Sequence, residues 1–172
     1  KTFQKYYIKM TSTPFVIREI LPTDNKQMAT IIRNVILEMG APKIGTAYED
    51  EATDCMFETY QKEKAGYFVI EKDNQILGGC GYAKLNHSKN NTCELQKMYF
   101  LPEARGKGLG SKMITKCLTK ASKHGFEYCY LETMPYMKAA QKLYKKNGFY
   151  LLDSAQGSTG HYSCNVWMLK KL

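Results

Sequence analysis

No stretch of eighteen apolar residues occurs anywhere in the 172-residue chain, so it offers no candidate for a membrane-crossing helix and no membrane partner is expected. No Cys-x-x-Cys pair occurs among Cys55, Cys80, Cys93, Cys117, Cys129 and Cys164, and the three histidines, His87, His124 and His161, are scattered. That spacing argues against a zinc framework, and no metal site is expected. The cysteines fall mostly within apolar runs, which reads as reduced, partly buried thiols of a cytoplasmic protein. The N-terminal "KTFQKYYIKMTSTPF" is basic but has no long apolar core and does not read as a signal peptide. Internal repeats and low-complexity tracts are absent. Acidic residues are the scarcer charge, 16 against 25 Lys and Arg, for a net charge of +9. Such an excess suits nucleic acid, an anionic ligand or simple solubility. No helix-turn-helix, zinc-finger or RNA-binding signature goes with it, so a small anionic ligand is favoured and no nucleic-acid partner is expected.

What is present is an alternation of strands and helices. "FVIREI" predicts a strand from Phe15 to Ile20, after which Asp24 is placed to cap a helix whose Met28, Ile31, Ile32, Val35 and Ile36 share one face. Gly40 and Pro42 end it. A second, polar helix is predicted from about Asp50 to Tyr60. Tyr67–Glu71 and Gln75–Leu85 read as hairpin arms around Asp73-Asn74. "CELQKMYFL" reads as a strand with Leu95, Lys97 and Tyr99 on one face and Glu94, Gln96 and Met98 on the other. A helix after the glycines carries Leu109, Met113, Ile114, Cys117, Leu118 and Ala121 inward and stops at Gly125. "FEYCYLET" is near-continuously apolar and suits a central strand. "YMKAAQKLYKKNGF" reads as a helix, and "FYLLDS" and "HYSCNVWMLKKL" as closing strands. The sum is one mixed α/β domain over residues 15–172, with residues 1–14 as an extension.

The turn "RGKGLG" sits between a strand and the start of a helix. The first amides of a helix have no partner within it, and glycines there admit close approach and positive φ. The result is a concave set of donors suited to phosphate oxygens, with Arg105 and Lys107 adding charge. The spacing fits neither the P-loop nor the dinucleotide fingerprint well, and a glycine turn without a ligand stays open on local chemistry alone.

The surrounding order narrows the choice. "ELQKMYFLPEARGKGLG" resembles the strand, turn and coenzyme A loop of the GNAT superfamily of N-acetyltransferases, whose usual form is Gln/Arg-x-x-Gly-x-Gly/Ala, matched by Arg105, Gly108 and Gly110. "HGFEYCYLET" resembles the next helix end and strand. "AAQKLYKKNGFY" resembles the following helix, with Leu143, Tyr144, Gly148 and Phe149 on the family's pattern. The resemblance runs from about residue 15 to 171. It implies a GNAT-like fold: a single mixed, mostly antiparallel central sheet of about seven strands with four flanking helices.

It also implies acetyl-coenzyme A as co-substrate, with transfer of acetyl directly to a primary amine on a small molecule or peptide. The amides of Gly106, Lys107, Gly108, Leu109, Gly110 and Ser111 would take the pyrophosphate, with Arg105 beside them. Met98 and Phe100 would lie near the pantetheine arm. Tyr144 falls where the family often has a tyrosine near the thioester sulfur, and Glu94 where several members carry a general base; Glu132 and Glu71 are alternatives. Met137 departs from the family, many of whose members have asparagine there, so one pantetheine or water-mediated contact would be missing. Cys93 and Cys129 read as buried structural thiols, the histidines as loop or helix-end residues, and Trp167 as part of a core or oligomer face. The acceptor wall is expected from Ile36 to Tyr60, the Asn86–Thr92 loop and the Ser154–His161 loop. The last strand often supports dimers in the family, which makes a homodimer a candidate assembly. A non-catalytic acyl-coenzyme A binding or sensor module is the alternative reading.

Overall fold

A computed structural model describes residues 13–172, so the expected extension, residues 1–14, lies outside the described residues except for Thr13 and Pro14. Seven strands form one sheet in the order β1-β2-β3-β4-β5-β7-β6. They are β1 (Val16–Glu19), β2 (Gly66–Lys72), β3 (Gln75–Lys84), β4 (Thr92–Phe100), β5 (Tyr128–Thr133), β6 (Tyr150–Leu152) and β7 (Val166–Lys171). All neighbours are antiparallel except β4 and β5. Four helices flank the sheet: α1 (Asn25–Glu38), α2 (Met56–Thr59), α3 (Leu109–Lys123) and α4 (Lys138–Lys146). This is the expected mixed, mostly antiparallel architecture.

The sheet is buried on both faces, because each carries an apolar stripe that a helix covers. On one face α1 sets Met28, Ile32, Val35 and Ile36 against Tyr67, Val69 and Ala83, joined by Met56 and Tyr60. On the other α3 sets Met113, Ile114 and Cys117 against Phe68, Cys80, Leu95 and Cys129, and α4 adds Tyr144. The helices whose apolar spacing is periodic in the sequence form as predicted. All six cysteines are free thiols, four of them buried.

The predicted helix from Asp50 to Tyr60 breaks in two. A single 3-10 turn forms over Glu51–Thr53, and the buried Thr53 turns its hydroxyl back to the Ala47 carbonyl at 2.7 Å. Cys55 then adopts φ −131, which no helix continues through, and only the four-residue α2 follows. Asp24 does not cap α1 with its side chain. Its carboxylate instead takes two guanidinium hydrogen bonds from Arg18 and the Leu21 amide at 2.8 Å.

Candidate active site

β4 and β5 stay paired for only three register positions, Thr92 with Tyr128, Cys93 with Cys129 and Glu94 with Tyr130. β5 then follows β7 to its end at Thr133, and the β4 edge beyond Glu94 has no strand partner among the described residues. The two strands part around a cleft lined by Glu94, Met98, Glu132, Tyr144, His161 and Cys164 among others.

A bulge on β4 shapes the cleft. Lys97 has φ +48, and the pairing with β3 slips between Gly79–Tyr99 and Gly81–Gln96. One residue is therefore extra, and the side-chain alternation inverts across it. The expected grouping of Leu95, Lys97 and Tyr99 on one face is corrected: Leu95 shares the α3 face with Met98 and Phe100, while Tyr99 packs on the α1 side. The Tyr67 hydroxyl donates to the Lys97 carbonyl at 2.7 Å. The Lys97 side chain, 7% exposed, pairs its ammonium with Asp50, whose carboxylate also meets His161 Nε2 at 3.0 Å. Burial pushes the Asp50 carboxyl up, but the His161 hydrogen bond and the Lys97 charge outweigh it and hold it at about 2.

Glu94 is 5% exposed at the fork of the strands. Its Oε2 accepts from Gln96 Nε2 at 2.6 Å. Burial pushes its carboxyl up from 4.5 to about 7, against the Gln96 hydrogen bond and the charges of His161 and Lys97; nearby Glu132 adds to the rise. Of the alternative carboxylates, Glu132 lines the cleft but accepts from the Tyr130 and Thr159 hydroxyls, both at 2.7 Å. Glu71 is bound to Arg18 at the β1–β2 edge, away from the cleft.

Tyr144 reaches the cleft from the last turn of α4, and the way that helix ends explains how. The Phe149 amide bonds the Tyr144 carbonyl at 3.1 Å and the Gly148 amide bonds that of Lys145 at 3.0 Å, with Gly148 at φ +90. This is a Schellman terminator, in which the residue after the glycine packs against the residue five before it. Here those residues are Phe149 and Tyr144, whose rings meet edge-on at 6.0 Å. The Leu-Tyr…Gly-Phe pattern is thus a device that seats a tyrosine. Burial pushes the Tyr144 phenol well above its ordinary value, so it stays protonated.

The glycine turn lies at the start of α3. Gly108 has φ +74, and no side chain caps the helix. A Cβ at Gly106 or Gly108 would find no atom within 4 Å, so both face open space, whereas one at Gly110 would meet Leu143 Cδ2 at 2.7 Å. Gly110 therefore lets α3 approach α4, and the first two leave a cradle of backbone donors open to an anion. Leu109 is buried beneath it, and Ser111 Oγ accepts from Asn147 at 3.1 Å. Lys107 is exposed beside it. Arg105 makes a bidentate pair with Glu38, 2.7 Å at both oxygens, and bonds the Phe100 carbonyl at 2.9 Å, so it ties the turn to α1. Met98 lines the cleft; Phe100 packs into the α3-side core.

A model of the acetyltransferase (GNAT) family matches residues 35–149. The chain belongs to that family. It is 42% identical over 159 residues to the uncharacterized N-acetyltransferase YjgM of Escherichia coli (strain K12), covering 91% of this chain and 95% of that one. Among solved structures, a GNAT acetyltransferase from Staphylococcus aureus Mu50 superposes with TM-score 0.81 at 19% identity, over 92% of this chain and 99% of that one. A GNAT phosphinothricin acetyltransferase from Sinorhizobium meliloti, in complex with AcCoA, superposes with TM-score 0.74 at 18% identity, over 92% and 88%. The GNAT fold expected from the sequence is therefore the fold observed.

Of the segments expected to wall the acceptor, only some reach the cleft. Ile36, Ala41, Thr46, Ala47 and His161 line the cleft. The Asn86–Thr92 loop does not; His87–Asn90 and Ala155–Gly157 form a separate hollow. The sequence singles out neither Gln96 nor Lys97, and it places Asp50, Tyr60 and His161 only within the segments expected to wall the acceptor. Asp50 and His161 are 111 positions apart, and nothing local marks either.

Proposed function

We propose that the chain transfers acetyl from acetyl-coenzyme A to a primary amine, with Glu94 as general base and Tyr144 as the proton donor to the departing thiolate. The observation that carries this reading is that Glu94 and Tyr144, far apart in sequence, line one cleft where β4 and β5 separate. The residues fit the co-substrate. The open cradle at Gly106 and Gly108 and the uncapped amides of Leu109, Gly110 and Ser111 suit its diphosphate. The unpaired β4 edge suits an extended pantetheine arm, which can bond backbone as an added strand does.

Bound acetyl-coenzyme A supplies an activated acetyl group as a thioester. An ammonium has no lone pair, so the acceptor must lose a proton before it attacks. Glu94, at about 7, is half ionised near neutral pH and more fully so above it, and is still basic enough to take that proton, directly or through water. Tyr144 keeps its proton at any working pH and can give it up as the thiol leaves. Arg105 ties the turn to α1 through Glu38 and the Phe100 carbonyl and keeps its positive charge beside the diphosphate. In this reading residues 15–172 are the catalytic domain.

The test is thiol release from acetyl-coenzyme A across a panel of primary amines. Amine-dependent release is expected, with kcat/KM rising from acid pH through about 7 to a plateau, because the ionised form of Glu94 is the working form. Coenzyme A binding without release on any amine would favour a sensor module.

A further inference from the structure

Two side chains untouched by the proposed reaction stand in series beside Glu94. Gln96 Nε2 donates to Glu94 Oε2 at 2.6 Å, and the Tyr60 hydroxyl donates to Gln96 Oε1 at 2.8 Å. An ionised carboxylate only accepts, so Gln96 must present its NH2 to Glu94 and its oxygen to Tyr60. Turned over, the amide would set oxygen against carboxylate. The Tyr60 hydroxyl holds it in the first arrangement by donating to the oxygen. Tyr60 is itself fixed: it is 4% exposed, caps the C-terminal end of α2, and leans on Tyr67 with ring centroids 5.0 Å apart. The short, broken α2 segment thus ends on a side chain that reaches the Gln96 oxygen.

We propose that Gln96 and Tyr60 are positioning residues for the base: Gln96 holds the Glu94 carboxylate in one orientation and favours its ionised form, and Tyr60 locks the Gln96 amide as a donor. The inference rests on reading Glu94 as the base. Other groups also face Glu94. His161 and Lys97 favour its charge and Glu132 opposes it, while the Tyr130 hydroxyl and the Cys164 thiol lie within electrostatic reach. Among the influences that favour the charged form, the Gln96 hydrogen bond is the largest.

The experiment titrates the carboxyl carbons of the full chain, labelled with 13C-glutamate, by NMR, using Glu94→Gln to assign the Glu94 signal. In Gln96→Met, which keeps length and removes the donor, the midpoint is expected to rise by about one pH unit or more, a tenfold change in the ionisation constant. Tyr60→Phe, which removes one oxygen, is expected to move it the same way by less. A midpoint unchanged in the folded variants, even with lowered melting temperature, would overturn the proposal, since a purely structural role would not touch the titration. If Gln96→Met fails to fold, Tyr60→Phe decides alone. In parallel, the acid limb of kcat/KM for the best amine of the panel is expected to shift upward by the same amount. Absence of amine-dependent release in the wild type would remove the transferase reading, while the titration would still decide the positioning.

Discussion

Ionising Glu94 at 5% exposure puts a negative charge where the unfolded chain would leave it in water. The carboxyl is raised in the folded state, from 4.5 to about 7, so over that interval the native protein binds more protons than the unfolded one. Stability therefore falls as pH rises through the interval, by up to about 3 kcal/mol at its end. Glu94→Gln removes that loss. The variant is expected to be inactive yet more stable than wild type above pH 7, by roughly 1–3 kcal/mol in denaturant unfolding, with the advantage vanishing near pH 4. A variant less stable at both pH values would contradict it. Tyr144 differs, because it keeps its proton throughout. Tyr144→Phe is expected to lower kcat roughly tenfold or more while leaving coenzyme A affinity within about a factor of two; equal turnover would remove it from the acid role.

Elements, more than single residues, decide how much of the site could be read in advance. α1, α3 and α4 form as expected because their apolar positions repeat with helical period and a glycine follows each. Tyr144 could be located because the pattern around it is a helix terminator whose physics is local. The glycine turn could be located for the same reason. β4 could not be read fully, since its bulge at Lys97 leaves no mark in an alternating sequence, and the faces invert beyond it. The bulge is held by Tyr67, so Tyr67→Phe leaves the Lys97 carbonyl without its donor and is expected to cost about 1 kcal/mol in denaturant unfolding. At the α3 turn, Gly108→Val forces a branched side chain onto φ +74 and fills the cradle. Coenzyme A affinity is expected to fall about tenfold or more by calorimetry; unchanged affinity in the folded variant would refute a diphosphate there.

On the scale of the whole molecule, the cleft exists because one parallel pair in an otherwise antiparallel sheet comes apart after three residues. Nothing in β4 or β5 alone announces that separation; it follows from β5 keeping its full pairing with β7. The cleft is then closed by segments distant in the chain. Asp50 meets His161, the Ser163 hydroxyl donates to the Ile44 carbonyl at 3.0 Å, and Thr159 bonds Glu132. These contacts join loops that composition can mark only as polar, which is why the fold was legible and the lining of the cleft was legible only in outline.

The claim on which the rest depends is that this cleft removes a proton from an amine through Glu94. It is tested most directly by thiol release from acetyl-coenzyme A with wild type and Glu94→Gln, on the best amine of the panel, across pH 5 to 9. The account predicts wild-type kcat/KM rising through about pH 7, and at pH 8 a loss on the order of a hundredfold or more in Glu94→Gln with coenzyme A affinity intact. Matching rates in the two proteins, with the same pH profile, would contradict it.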